Sequence, residues 1–187
     1  SVNHVVTHGI PSDTKILKVG DILNIDVTPK FNGWFGDTSR TFKVGAVSIL
    51  ANRLVNTAYE AMMAGIHTVR PGATLGDVGA AIEAVAKAQG FSSVRDFCGH
   101  GVGQVFHDTP QVLHYGRAGT GIVLEPGMIF TIEPMLNVGS YQVKVLPDKW
   151  TTVTKDRSLS AQFEHSLAVT ETGFEIFTLT GSTEPLV

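Results

Sequence analysis

Two aspartates on neighbouring strands of a predicted hairpin constrain this sequence more than any other feature. Apolar and polar residues alternate from Ile22 to Val27, which is the period of a half-buried β-strand. Asn32-Gly33 predicts a tight turn, and the run from Trp34 to Phe42 would then return alongside the first strand. This hairpin is expected to place the carboxylates of Asp26 and Asp37 opposite each other.

Two carboxylates that face each other inside a protein repel and lose hydration. The cost is several kcal/mol per ion, about as much as a small domain's margin of stability, unless a cation compensates it. For an isolated pair, the alternative that one or both aspartates only end a turn is favoured. A metal site is the hypothesis that the rest of the chain has to support or weaken.

Three further residues in the second half support the metal hypothesis. A predicted strand from Pro126 to Pro134 carries Glu133 at its end, and a second strand from Ser160 to Val169 carries Glu164. His100 has a glycine on each side, so the backbone there can approach other chains closely and leave the imidazole facing a cavity. A lone histidine between glycines is more often structural.

The helices of the chain are predicted between these two groups of strands. Apolar residues recur at helical spacing from Ala46 to about Val69, with Ile49 and Leu50 counted in the buried stripe. A second helix is expected to begin after Thr74, which can cap it, and to end at Gly90. The pattern predicts an α+β fold in which two acidic strand pairs could face one centre.

Composition excludes several other classes of function. The chain has 187 residues, 43% of them hydrophobic, and a net charge of −3, which suits one domain without a nucleic-acid or membrane surface. The single cysteine, Cys98, excludes an internal disulfide and a zinc site built on thiolates. We expect a small buried thiol and a reducing compartment, the cytoplasm.

Four carboxylates and one imidazole form a recognisable donor set. Oxygen-rich sites with one nitrogen favour divalent ions such as Mn²⁺, Fe²⁺ or Co²⁺. Four negative charges match two divalent cations, and carboxylates can bridge two ions about 3.5–4 Å apart in sites that activate water for hydrolysis. The sequence therefore predicts a dinuclear hydrolase.

Seven motifs, in order along nearly the whole chain, resemble type I methionine aminopeptidases. The motifs are Thr7-His8-Gly9-Ile10-Pro11, Asn24-Ile25-Asp26-Val27-Thr28, Gly36-Asp37-Thr38-Ser39, Gly99-His100-Gly101-Val102-Gly103, Phe106-His107, Phe130-Thr131-Ile132-Glu133-Pro134-Met135 and Ser160-Ala161-Gln162-Phe163-Glu164-His165. Each motif alone is weak evidence, whereas the ordered set is specific. The chain departs from the family at Thr7, where many members have cysteine, and at Phe35, where histidine is common.

The resemblance implies the pita-bread (creatinase/aminopeptidase) fold, in which two pseudo-symmetric halves with outer helices and a curved antiparallel sheet surround two divalent metal ions. The ions would be cobalt, manganese, iron, zinc or a similar metal. It implies that Asp37 and Glu164 bridge the two ions. The metal ligands that it implies are Asp26, Asp37, His100, Glu133 and Glu164.

The resemblance also implies a reaction, the removal of the N-terminal methionine from nascent polypeptides by a metal-activated water. Glu133 would handle the proton of that water, and His8 and His107 would contact the scissile amide and its oxyanion. Phe106 and Trp150 would lie near the methionine side chain. The implied partners are polypeptide N-termini near the ribosome, and the full-length protein is expected to be a monomer.

Two rival functions remain open from the sequence. A proline-directed peptidase of the same fold, prolidase or aminopeptidase P, would keep the same five ligands. A non-catalytic pita-bread binding module is disfavoured because all five ligand positions are filled.

The start of the chain carries a further expectation. Residues 1–187 are predicted to form a single catalytic domain that lacks an N-terminal segment found in the family. We expect the pocket on the side of His8 to be open or covered by a partner, because that segment would form part of its wall.

Overall fold

Short strands and two helices alternate along residues 1–179, the part of the chain that the computed structural model describes. The helices are α1 (Ile49–Ile66) and α2 (Leu75–Ala88). The strands are β1 (Val5–Thr7), β2 (Ile22–Val27), β3 (Lys30–Phe31), β4 (Trp34–Phe35), β5 (Thr38–Lys43), β6 (Ser92–Ser93), β7 (Gly99–Gly101), β8 (Asp108–Val112), β9 (Ile129–Ile132), β10 (Met135–Asn137), β11 (Val143–Val145), β12 (Thr152–Thr154), β13 (Ser160–Gln162), β14 (His165–Val169) and β15 (Phe174–Ile176).

The predicted hairpin is present, but its turn is more elaborate than the sequence pattern indicated. Strands β2 and β5 pair antiparallel over their full length, from Ile22 opposite Lys43 to Val27 opposite Thr38. Asn32 and Gly33 both have positive φ, as a two-residue turn requires, but they join only the short strands β3 and β4. The prediction of one continuous return strand from Trp34 was therefore wrong, because Gly36-Asp37 separates β4 from β5.

Both helices are confirmed, with shorter bounds than predicted. The side chain of Ser48 caps α1, and Thr74 and Asp77 form a reciprocal capping box at the start of α2. Ile49 and Leu50 were wrongly assigned to the buried stripe, since Ile49 is 89% exposed and Leu50 is 41% exposed. They lie in the first turn of α1, which precedes the part of the helix that packs on the core.

The core lies between the two helices and the sheets on which they pack. Its largest sheet has the strand order β15-β14-β9-β7-β8, and a second has the order β13-β10-β6. Helices α1 and α2 pack against each other, and α1 also contacts β9, β10 and β13. Fully buried side chains from each layer meet there, including Leu54, Ile82, Phe130, Leu136 and Leu167.

Both glutamates lie at breaks between strands. The predicted strand that carries Glu133 ends there as expected, whereas the strand predicted from Ser160 to Val169 is interrupted at Glu164. Glu133-Pro134 separates β9 from β10, and Phe163-Glu164 separates β13 from β14. Pro134 has no N–H to donate to a neighbouring strand. The N–H of Glu164 donates instead to the carbonyl of Ser39 on β5, at 2.9 Å. Each glutamate therefore stands where one sheet ends and another begins.

A further three-stranded sheet combines the first strand of the chain with two strands between residues 143 and 154. Strand β1 pairs with β12, and β12 pairs with β11. Within residues 1–179, neither helix is long and apolar enough to cross a membrane.

Candidate metal centre

Asp26 and Asp37 lie on the same side of the hairpin without being direct partners. Asp26 pairs with Ser39, and Asp37 stands two residues before that partner, just ahead of β5. The hydroxyl of Thr28 donates to Oδ1 of Asp37 at 2.7 Å, and the Asp37 backbone N–H donates to Oγ of Ser166 at 3.2 Å. Asp37 is 4% exposed, whereas Asp26 lies at the exposed side. Loss of hydration and the charge of Asp37 raise the pKa of Asp26, so the two carboxylates are near each other, although Asp26 lies opposite Ser39 and not opposite Asp37 as expected.

The imidazole of His100 lies close to an acidic residue from each half of the chain, Asp37 and Glu133. Its Nε2 is 3.5 Å from Oδ2 of Asp37 and 3.6 Å from Oε1 of Glu133. Its Nδ1 is 2.9 Å from the carbonyl oxygen of Gly101, which can only accept a hydrogen bond. Nδ1 is therefore the donor, and Nε2 of the neutral ring is left with a lone pair among the carboxylates. Metal-binding histidines commonly have this arrangement.

The glycines beside His100 are required by close backbone packing, as predicted. A Cβ on Gly99 would collide with the carbonyl oxygen of Thr131 on β9, and a Cβ on Gly101 would collide with that of Thr109. The N–H of His100 donates to the hydroxyl of Thr131 at 3.0 Å. Strand β7 is therefore held between β8 and β9 with its imidazole facing the acidic residues.

Glu164 completes a cluster that suits a cation. One ligand atom each from Asp37, His100 and Glu164 lies within 4.8 Å of the others. Glu164 is 2% exposed, and its Oε2 is buried without a hydrogen-bond partner among the described residues. Buried polar atoms are nearly always satisfied, so an orphaned carboxylate oxygen beside an imidazole lone pair fits a divalent metal ion.

Burial, together with repulsion between carboxylates, raises the pKa values of three acidic groups of the site. Burial raises the pKa of Glu133 to about 8, against an opposing hydrogen bond from Thr131 and the charge of His100. Burial, with repulsion from Glu133 and Asp37, raises the pKa of Glu164 well above its usual value. Loss of hydration and repulsion from Asp37 raise the pKa of Asp26 to about 6. The protein alone therefore does not compensate these charges.

The pKa of His100 responds to the same neighbours. Burial lowers it, but the hydrogen bonds to Asp37 and Gly101 and the charges of Glu133 and Asp37 outweigh burial, so that the pKa rises overall. In the absence of another cation, a proton on the imidazole is the cheapest way to offset the carboxylates. A metal ion would replace that proton.

Three residues that the sequence reasoning did not assign to the site hold Glu133. The hydroxyl of Thr131 donates to its Oε1 at 2.8 Å, and Nε2 of Gln162 lies 3.3 Å from its Oε2. The backbone N–H of Glu133 donates to Nε2 of His114 at 3.1 Å. Thr131 could have been found from its sequence, because residues two apart share a face of a strand and it precedes Glu133 by two. His114, which follows β8, carried no such signal.

His8 and Trp150 form an aromatic pair at one side of the site. Their rings stack with centroids 4.2 Å apart, and Phe97 meets His8 edge-on at 5.7 Å. His8 directly follows β1 and has a φ of 60°, and its carbonyl accepts from the hydroxyl of Thr151 at 3.3 Å. A cavity of about 770 Å³ lies beside His8 and is also lined by Asp26 and Thr28.

His107 and Phe106 lie next to His100. The centroid of His107 is 4.4 Å from that of His100, and Phe106 stacks on Phe35 at 5.3 Å. Partial burial and the charge of His100 lower the pKa of His107, so that it is neutral near pH 7. Neither Phe106 nor Trp150 lines the cavity beside His8 within the described part of the chain.

Comparison with known proteins agrees with this geometry. Residues 1–171 match the metallopeptidase family M24. The chain belongs to metallopeptidase family M24. A methionine aminopeptidase from Rickettsia prowazekii is 58% identical over 180 residues, which are 96% of this chain and 69% of the relative.

Solved structures of methionine aminopeptidases confirm the predicted pita-bread fold. The crystal structure of the Rickettsia prowazekii methionine aminopeptidase superimposes with a TM-score of 0.94 over 96% of this chain and 72% of that chain, at 58% identity. That of the Thermotoga maritima methionine aminopeptidase also gives 0.94, with the same coverage and 42% identity. Prolidase from Pyrococcus furiosus, at 24% identity, gives 0.75 over 97% of this chain and 48% of that chain, which shows a shared fold alone.

Proposed function

We propose that this M24 metallopeptidase is a methionyl aminopeptidase, which hydrolyses the bond after an N-terminal methionine. The observation that carries the proposal is the buried, uncompensated cluster of Asp37, His100 and Glu164 in a chain that is 58% identical to a methionine aminopeptidase. The unpartnered Oε2 of Glu164 and the free lone pair of His100 support a divalent metal at this point.

The proposed metal ligands are the carboxylates of Asp26, Asp37, Glu133 and Glu164 and the imidazole of His100. Four carboxylates balance the charge of two divalent ions, for which manganese, iron, cobalt and zinc are the candidates. Asp37 and Glu164 are the most deeply buried carboxylates of the set, and by resemblance to the family they would be shared between the two ions. When bound, the metal supplies a Lewis acid that activates water and polarises the amide carbonyl.

The side chains around the metal ligands are assigned to proton transfer and charge stabilisation. Glu133 is assigned to take a proton from the attacking water and to pass it to the leaving amine. His107 is placed beside His100 and donates a hydrogen bond to the developing oxyanion. Such a contact is worth about 3–4 kcal/mol in the transition state. His8 contacts the scissile amide from the cavity side.

We assign the methionine side chain to the apolar surface near Phe106 and Trp150. Both are aromatic, and each packs against one of the two proposed catalytic histidines. The substrates proposed are the N-termini of nascent polypeptides, reached near the ribosome in the cytoplasm by a monomeric enzyme.

The decisive experiment compares two peptides with the metal varied. We expect the chain loaded with Mn²⁺ or Co²⁺ to release methionine from Met-Ala-Ser, and chelation to abolish the reaction. Preferential cleavage of an Ala-Pro peptide would instead favour a prolidase-like function, which the shared fold permits. Tight metal binding without cleavage of either peptide would favour a non-catalytic binding module.

A further inference from the structure

The interruption between β9 and β10 leaves the backbone of Glu133 without a strand partner for its N–H. This N–H donates to the imidazole Nε2 of His114 at 3.1 Å. His114 lies outside both strands, two residues after β8 ends at Val112. A side chain therefore supplies the acceptor that a strand neighbour would otherwise provide.

The chemistry of that hydrogen bond fixes the state of His114. Because a backbone amide only donates, Nε2 must carry a lone pair, and the ring proton lies on Nδ1. His114 is 1% exposed, so neither its ring nor its partner can exchange this hydrogen bond for one to bulk water. The imidazole acts here as a fixed acceptor.

The backbone of His114 is anchored as firmly as its ring. Its carbonyl accepts from Oγ of Ser93 at 2.9 Å, and Ser93 on β6 pairs with Leu136 on β10. Leu136 lies three residues after Glu133. Through Ser93 and His114, the residues on the two sides of the Glu133-Pro134 break are therefore connected to each other. The position of Glu133 is thus tied through His114 to two strands.

We propose that His114 is a positioning residue for Glu133, which fixes the backbone from which the proposed proton-transfer and metal-binding carboxylate extends. Thr131 and Gln162 hold the carboxylate oxygens, but they act on the far end of a flexible side chain. His114 determines where that side chain starts. It is not assigned to touch metal or substrate, and its role rests on the function proposed above for Glu133.

The test compares His114→Leu, which removes the acceptor at similar volume, with His114→Gln, whose amide oxygen can accept near the position of Nε2. We expect kcat and Mn²⁺ affinity of the Leu variant to fall by about 10- to 100-fold, as for other outer partners of metal ligands, with KM unchanged. The Gln variant should recover most of both. Ile82→Val, in the buried face of α2, controls for a loss of stability alone.

Amide hydrogen exchange of the metal-free chain provides a readout that does not depend on activity. The Glu133 amide should exchange at least about 10-fold faster in His114→Leu, and the Gln variant should restore its protection, while amides of α1 are unaffected. If wild type cleaves no methionyl peptide but these exchange and Mn²⁺ effects hold, the proposed function fails and the positioning role stands. A Leu variant with wild-type kcat, Mn²⁺ affinity and Glu133 exchange would overturn the positioning role.

Discussion

At the scale of single residues, the site is defined by charges that the protein leaves uncompensated. Among the described residues, the only cationic group within ion-pair distance of the central carboxylates is His100. Two like charges about 4 Å apart cost about 4 kcal/mol at the effective dielectric of a protein surface, and one imidazolium offsets only part of this. Electrostatic repulsion between these carboxylates therefore destabilises the metal-free chain, and a bound cation would reduce that repulsion.

The first prediction concerns Glu164. Glu164→Gln should lower Mn²⁺ affinity by at least about 100-fold while raising the free energy of unfolding of the metal-free chain at pH 8 by about 1–4 kcal/mol, because it removes the cost of burying a carboxyl group that is ionised in the unfolded chain. Asp37→Asn should behave in the same way with respect to Mn²⁺. Calorimetric titration and urea unfolding measure the two quantities, with the exposed Glu171→Gln as control. Tight binding of two ions by either variant would contradict the bridging assignment.

The second prediction separates catalysis from metal binding. His107→Ala should lower kcat by about 10²- to 10³-fold with the metal content intact, since His107 is assigned to the transition state. Metal content by elemental analysis and steady-state kinetics measure the two effects, and the exposed His67→Ala serves as the histidine control. Loss of metal would make His107 a ligand, and near-normal turnover with lower stability would make it structural.

The third prediction uses the pKa of Glu133, raised from 4.5 to about 8. A raised carboxyl pKa stabilises the folded state at low pH, and this stability is lost as pH rises towards 8. His4, His107, His114 and His165, whose pKa values burial lowers, release their protons in the unfolded chain around pH 6.5 and oppose this trend there. The contribution of Glu133 is therefore read from a comparison with Glu133→Gln: between pH 6.5 and 8, the free energy of unfolding of the metal-free wild-type chain should fall relative to that of the variant.

Urea unfolding in EDTA measures this dependence, with Mn²⁺ added in a parallel series. Glu133→Gln should flatten the slope, and Mn²⁺ should remove it by taking the place of the bound protons. The same pH dependence between 6.5 and 8 in the metal-free wild type and in Glu133→Gln would show that Glu133 is not protonated as inferred.

At the scale of elements, two of the proposed metal ligands lie at positions where a strand ends. Glu133 and Glu164 both lie between a strand of one sheet and a strand of another. His100 is the central residue of β7, with a glycine on each side. Side chains within a strand alternate between the two faces of the sheet. A residue at a break in the strand is not held to this alternation, so its side chain can point towards a centre that lies between several sheets. The cost is backbone groups that need other partners, which Ser39 and His114 supply.

The fourth prediction tests the close packing of β7. Gly99→Ala should lower the free energy of unfolding by about 1–3 kcal/mol, because the added methyl collides with the backbone of β9. Metal affinity should fall with it as His100 is displaced. Gly103→Ala is the matched control, since its added methyl would make only an ordinary 3.6 Å contact with Trp34. Equal stability and Mn²⁺ affinity for the two variants would contradict the packing argument.

Local elements were largely predictable from the sequence, because their signals are local. Thr74 and Asp77 identified the start of α2, and the spacing of Leu54, Val55 and Ala58 identified α1. Ile49 was misassigned because periodicity does not show where along a helix the core begins. The continuous strand through Glu164 was misassigned because its N–H pairs with Ser39, a contact between residues far apart in sequence.

At the scale of the whole molecule, long-range hydrogen bonds bring the hairpin to the second half. The hydroxyl of Thr38 donates to the carbonyl of Glu164 at 2.9 Å, and that of Thr41 donates to the carbonyl of Gln162 at 2.7 Å. No periodicity specifies such pairings, so the meeting of the two acidic pairs was predicted from charge balance and from the family resemblance. His114 was missed for the same reason, since its partner Glu133 lies 19 residues further along the chain.

The measurement that tests the central claim most directly is the anomalous diffraction of crystals of this chain grown with Mn²⁺. The account predicts two anomalous peaks about 3.5–4 Å apart, both within coordination distance of Asp37 and Glu164. One peak should also contact Asp26, and the other should contact His100 and Glu133. Strong peaks elsewhere, with none between Asp37 and Glu164 at saturating Mn²⁺, would contradict the proposed dinuclear centre.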